Sequence, residues 1–207
     1  MPPQKSTSGT AATRAPRRQR GRERVAALLA AAAACFVEKG YAGTTMTEVA
    51  ARAGSAIGSL YQFFPTRELL AQALLDDCTD DLYGRLQRLA AQAPALDTDR
   101  LGATLIRLLV DFRRRHPAFV ALIESAPIPI AQALAVRRRV RAELQAVLAA
   151  HAPWRDAREL HAAATVAQQL MKAAVAVNAE PGMPGRKAAL DGLRHALQLY
   201  LREALAR

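Results

Sequence analysis

The side chains most often used in catalysis are thinly spread in this chain. Its four histidines fall at 116, 151, 161 and 195, with no HExxH, GxSxG or glycine-rich phosphate loop near them. Cys35 and Cys78 have neither a CxxC spacing nor enough company for a disulfide framework or a zinc site, so no metal, no cofactor and a reducing, cytoplasmic setting are expected. Polar residues at informative spacing are concentrated instead between 45 and 67. Thr45-Met46-Thr47-Glu48 reads as a capping box, in which the Thr45 hydroxyl accepts from the Glu48 amide and the Glu48 carboxylate reaches back. It predicts a short helix ending at Gly54. A second short helix follows from about 56 to 63, with Ser55 as candidate N-cap, and Phe64-Pro65 breaks it. Two short helices joined at a glycine, the second bearing exposed polar groups, make a helix-turn-helix whose second helix can lie in the major groove of DNA. Ala50 is small where the helices must approach, Gly54 suits the left-handed turn, and Val49 and Leu60 supply the buried contact between them.

The elements that must position this unit are helical throughout. Of 207 residues 51% are hydrophobic and only 5% aromatic, Ala and Leu dominate, and no strand pattern competes. Lys and Arg outnumber Asp and Glu by 29 to 18, which favours a polyanionic partner. Residues 1–67 hold ten of the basic residues against three acidic ones, so the N-terminal third is the most basic. Residues 1–21 read as a disordered basic arm. Five arginines at 17, 18, 20, 22 and 24 precede thirteen apolar residues, Val25 to Val37, which is the outline of a secretory signal. The same run, with Leu28, Leu29 and Phe36 at helical offsets from Val25, also reads as an alanine-rich core helix over about 22–39, closed by Gly40. Further helices are predicted at 66–92, 98–115, 117–125, 129–151, 155–179 and 185–206, separated by breaks at prolines and glycines. The expected fold is all-α, with a three-helix DNA-binding unit over 22–67 and a helical bundle over 68–207.

The stretch Phe36-Val37-Glu38-Lys39-Gly40-Tyr41, then Thr44 to Gly54, then Ile57-Gly58-Ser59-Leu60-Tyr61-Gln62-Phe63-Phe64-Pro65-Thr66-Arg67-Glu68-Leu69-Leu70, closely resembles the DNA-binding domain of the tetracycline-repressor (TetR) family of bacterial regulators. The likeness covers about 22 to 70. It implies phosphate contacts for Thr45 and Thr47 at a helix start, for the Ser59 and Tyr61 hydroxyls and for Arg67. Gln62 is implied as the reader of a base edge, because an amide both donates to and accepts from adenine. Ala56, Ile57, Gly58 and Phe63 complete the implied surface, with Gly58 letting the helix approach closely. Many members carry a hydrophobic residue followed by Ser where this chain has Ser55 and Ala56, so the contact of that Ser is not implied here. Ile57 has two readings: core, from its i, i+3, i+7 spacing with Leu60 and Phe64, or groove, against a thymine methyl. Tyr61 and Phe63 likewise suit packing as well as contact. Arg17, Arg18, Arg20 and Arg22 could enter the neighbouring minor groove or remain a solvated tail.

For the bundle the resemblance implies a homodimer and an effector pocket. Leu193, Leu197 and Leu201 recur at four on the last helix, and Leu170 and Val177 lie on the helix before it. The resemblance pairs these helices with their mates in a four-helix bundle, while an intrachain core is the other reading. Pocket candidates on the first bundle helices are Leu75, Cys78, Leu82, Phe112 and His116. Phe119, Ile123, Trp154, Gln168 and Met171 complete them, which suggests a largely hydrophobic small molecule. The basic clusters at 113–115 and 137–141 read as surface charge. The function so read is a ligand-responsive regulator, a repressor released from a pseudo-palindromic operator, with a secreted helical protein and an enzyme as the competing classes.

Overall fold

The computed structural model describes residues 14–125 and 129–207, with side chains from 19 onward except those of 124, 125 and 130. Among the described residues there are nine α-helices and no strand. Helix α1 spans Arg14–Gly43 and is broken near its end at Gly40, whose φ of 69° only glycine adopts at little cost. The first eight residues of α1 correct the expectation of a disordered arm over 1–21. Arg, Gln and Glu are good helix formers, and one-turn pairs support them: Gln19 donates to Glu23 (2.8 Å) and Arg22 to Gln19 (2.9 Å). A charge run extends a helix readily once an alanine-rich segment has nucleated it. Residues 1–13 of the expected arm lie outside the described residues.

The segment Gln19–Gly43 has the length and apolarity of a membrane span, yet Leu28, Ala31, Ala32, Cys35 and Phe36 are buried in the protein's own core. The core-helix reading of Val25 to Val37 therefore holds. Helix α2 (Met46–Arg52) packs beneath it and α3 (Ile57–Phe63) packs on α2, and α4 (Arg67–Gln92) runs out of this unit into the bundle. A 3-10 turn over Ala93–Ala95 leads to α5 (Thr98–Arg115) and α6 (Pro117–Ser125). Helices α7 (Ile130–His151), α8 (Ala157–Ala179) and α9 (Arg186–Ala204) complete the bundle. Carboxylates start two of them: Asp97 accepts from the Arg100 amide (2.7 Å), and Asp156 from those of Arg158 and Glu159 (both 2.8 Å). His151, at the end of α7, contacts the Ala93 carbonyl through Nδ1 (3.0 Å) and the Thr98 hydroxyl through Nε2 (3.1 Å), which pins three elements at one corner.

The last helix departs from expectation. Leu197 and Leu201 are fully buried within one protomer, so they are core and not a dimer seam. The leucine spacing marks a stripe but does not say which neighbour covers it. Here α5 covers it. Gly102 lets α9 come so close that an added Cβ would meet Gln198 Cγ at 3.1 Å, and Gln198 donates to the Asp99 carbonyl (3.0 Å) while Arg202 grips the Asp99 carboxylate (2.6 Å). Leu199 of α9 and Val166 of α8 are 49% and 37% exposed; Leu170 and Val177 lie half-buried on the Val166 side of α8, and Leu193 is half-buried against the core.

Candidate nucleic-acid interface and effector cavity

The capping box is present. Thr45 Oγ1 accepts from the Glu48 amide (3.3 Å), and Glu48 Oε2 accepts from the Thr45 amide (3.1 Å). Lys39 joins the same carboxylate at 2.6 Å. Its hydrogen bond, with those from Thr45, holds Glu48 down to about 2. A second clamp ties α1 to α2, with both Arg52 terminal nitrogens on the Glu38 carboxylate (2.6 and 2.5 Å); the Arg52 hydrogen bond holds Glu38 below the usual carboxylate range. Gly54 turns the chain at φ 60°, while Val49, Ala50 and Leu60 fill the contact between α2 and α3, as their spacing implied.

Ser55 does not cap α3. Its amide is drawn back to the Ala50 carbonyl (2.9 Å), its hydroxyl is buried without a partner, and Ala56 takes the cap position with no side-chain bond to offer. Ile57 is 39% exposed while Leu60 and Phe64 are buried, which rules out its core reading. Periodicity names a face, but a helix of two turns buries only the part that reaches its neighbours. Tyr61 and Phe63 are exposed too, as are Ala56, Gly58 and Gln62, so α3 turns a mixed polar and apolar surface outward. Ser59 is half-buried and takes a hydrogen bond from Arg24 of α1 (3.4 Å). Arg20, Arg22 and Arg24 are exposed on the early turns of α1, Arg24 reaching α3; the side chains of Arg17 and Arg18 lie outside the described residues.

Arg67 has work of its own. Its guanidinium stacks over the Tyr41 ring (4.3 Å to the centroid), and Nη1 donates to the carbonyls of Ala42 (3.2 Å) and Thr44 (3.0 Å). Tyr41 in turn donates to Glu68 (2.8 Å). Arg67 therefore braces the loop between α1 and α2 against the start of α4, a role that sequence reading missed. Thr45 and Thr47 stand exposed beside that loop.

A cavity of about 440 Å³ opens inside the bundle between α4, α5, α6, α7 and α8. Leu82, Phe112, Phe119, Ile123, Gln168 and Met171 line it, as the sequence suggested. Four candidates lie elsewhere. Leu75 is buried in the core, two turns before Leu82 on α4. Cys78 and His116 line a separate cleft of about 590 Å³ along the outer alanine face of α1. Burial pushes the Cys78 thiol up to about 11, and His116 meets Asp81 at 2.8 Å. Burial resists ionisation of Asp81, but hydrogen bonds from Arg85 (2.7 Å) and His116 leave it below its ordinary value. Trp154 lies half-exposed at the surface, donating to the Ala206 carbonyl (3.3 Å) beneath the Arg207 guanidinium. Spacing along one helix could not tell which of its faces met the cavity. Sequence reading also missed Arg113, Arg137 and Lys172, which line the cavity although the arginine clusters suggested plain surface charge.

Residues 28–74 match the family model of bacterial regulatory proteins of the tetR family, and residues 97–201 match a tetracyclin repressor-like C-terminal domain. The chain belongs to the TetR family. The transcriptional repressor KstR2 of Mycolicibacterium smegmatis is 39% identical over 99 residues; the chain spans only about half of that relative, 48% of each length. The repressor Rv3405c of Mycobacterium tuberculosis is 35% identical over 142 residues, 64% of this chain and 70% of that one. Among solved structures, the SmeT–triclosan complex superposes with a TM-score of 0.65 at 22% identity, covering 84% of this chain and 91% of SmeT, which is a likeness of fold. In this TetR-family chain the first matched segment runs from within α1 through α2 and α3 into α4, and the second runs from the start of α5 into α9.

Proposed function

We propose that this protein is a cytoplasmic transcriptional repressor that holds a pseudo-palindromic DNA operator as a homodimer and releases it when a small molecule fills the bundle cavity. The observation that carries the reading is the outward face of α3, where Gln62 and Tyr61 stand exposed beside the exposed arginines of α1. In this reading residues 22–67 read DNA and 68–207 form the effector and dimer unit. Gln62 addresses an adenine edge, and Ile57 meets a thymine methyl. Thr45, Thr47 and Tyr61 donate to phosphates, and Ser59 does so together with Arg24. Arg20 and Arg22 lie along the backbone or in the adjoining minor groove.

Dimerisation doubles the DNA contact and fixes the half-site spacing. The outward face of α8 and α9, around Leu199 and Val166, is the surface we assign to it. The repressor relatives and the triclosan-bound neighbour support the two ends of the scheme, DNA and ligand. A ligand shifts the DNA equilibrium only if it prefers the conformation with misplaced recognition helices, and operator DNA must then weaken the ligand by the same factor. Selection from a randomised duplex pool tests the DNA reading. Wild type should recover an inverted repeat, and Gln62→Ala should lose preference at one position per half-site, by about 1–3 kcal/mol. An unchanged preference profile would refute the role of Gln62, and recovery of no sequence would refute the repressor.

A further inference from the structure

The bundle cavity is apolar in its depth and basic at its edge. Leu82, Leu86, Phe112, Leu144 and Met171 supply an aliphatic and aromatic floor. Three cations from three different helices complete the lining: Arg113 of α5, Arg137 of α7 and Lys172 of α8. No Asp or Glu stands among the described lining residues. Arg137 and Lys172 are exposed, so their charged ends remain in water at the mouth while their stems cover apolar surface.

Gln168 is the device that holds this edge in place. It is buried in the cavity wall, and both ends of its amide are committed to α7: Nε2 donates to the Arg137 carbonyl (3.1 Å) and Oε1 accepts from Arg141 Nε (3.4 Å). The buried amide therefore positions the basic segment of α7 over the cavity. A neutral hydrophobic ligand would gain from the floor and nothing from the rim.

We infer that the cavity takes an amphipathic anion, with its hydrocarbon part on the floor and a carboxylate or phosphate headgroup between Arg137 and Lys172. This rests on the reading of the cavity as the effector site and names the class of effector. At roughly 30 Å³ for each water-sized group, 440 Å³ holds about fifteen heavy atoms, the size of a medium-chain fatty acid. Charge-assisted hydrogen bonds at the rim supply selectivity for the anion.

The test uses the full-length protein and three probes of equal chain length: dodecanoate, dodecyl phosphate and methyl dodecanoate. Calorimetric titration should show at least one of the two anions bound about tenfold or more tightly than the ester, and the tighter anion identifies the headgroup. In the Arg137→Gln/Lys172→Gln double variant, both surface changes, that preference should vanish while ester binding and the melting temperature stay as in wild type. Equal affinity for ester and anions, binding of none of the three, or an undiminished preference in the double variant would each overturn the inference. The same anion is then added to protein bound to its selected duplex. Charge-selective binding without any loss of DNA affinity would leave the ligand class standing and sink the release of operator; release by the ester alone would do the reverse.

Discussion

Leu197 and Leu199 are two residues apart on α9 and should respond to substitution in opposite ways. Leu197 is fully buried inside the protomer, so Leu197→Ala removes core contacts and leaves a cavity, at a cost of about 2–5 kcal/mol. For a chain of this size that corresponds to a fall of roughly 5–15 °C in Tm. Leu199 is 49% exposed in the protomer. Complete burial of a leucine is worth about 1.5–3 kcal/mol, so the uncovered half can contribute about 0.7–1.5 kcal/mol when a partner covers it. A two-fold axis counts it twice, giving about 1.5–3 kcal/mol, or roughly 10- to 150-fold in dimer Kd, for Leu199→Ala. Sedimentation velocity over a range of concentrations reads the second effect and thermal unfolding monitored by circular dichroism reads the first. Dimers as tight in Leu199→Ala as in wild type would refute the assignment of this face. An unchanged Tm in Leu197→Ala would refute its place in the core.

Thr45→Ala should cost about 1 kcal/mol through the lost cap, seen as faster hydrogen exchange across α2 with α7 and α8 unaffected. Glu48, held near 2 in the folded protein against an unfolded value of about 4.3, contributes stability that is complete above the unfolded value and is lost as pH falls through the folded one. An acid titration followed at α2 should therefore show loosening between those limits in wild type, and a transition absent from Glu48→Gln. Cys78, pushed up to about 11 by burial, should stay protonated and resist a thiol reagent at pH 8 until the protein unfolds; labelling at the rate of a free thiol would contradict its burial. Gly54→Ala places a side chain at φ 60° with no atom within 4 Å to clash, so the cost is backbone alone, about 1–2 kcal/mol in a urea melt. A loss near zero would mean that the turn has another conformation.

The elements most legible in the sequence are those whose signals are local. The capping box at Thr45, the turn at Gly54 and the cap at Thr66, which accepts from the Leu69 amide (3.2 Å), depend on residues within four positions of each other. Relations between distant elements were not legible. The stripe of Leu197 and Leu201 was plain, but its cover depended on Gly102, nearly a hundred residues away. Arg67 was expected to face phosphate because its place at a helix start suits an anion, while the two carbonyls that hold it belong to a loop more than twenty residues earlier. Arg137 and Lys172 carry charges typical of any solvated face, and only the packing of α7 on α8 brings both to one cavity. Ile57 was undecided for the same reason, since a seven-residue helix does not disclose where its neighbours end.

Helix α1 is used on two sides. Its buried face closes over α2, on which α3 packs, and its outer alanine face lies along α6, at the cleft shared with Leu74 and Cys78 of α4. The two units are thus joined through shared walls as well as through the chain, and residue 67 is a boundary in sequence only. A segment cut there would keep Phe36 and Leu60 but lose Leu70, Leu74 and α6, leaving one side of α1 bare. Recombining this DNA-reading unit with another member's bundle is consequently a problem of fitting surfaces. The alanines at 26, 30, 33 and 34 would have to travel with the α4 and α6 residues against which they are shaped.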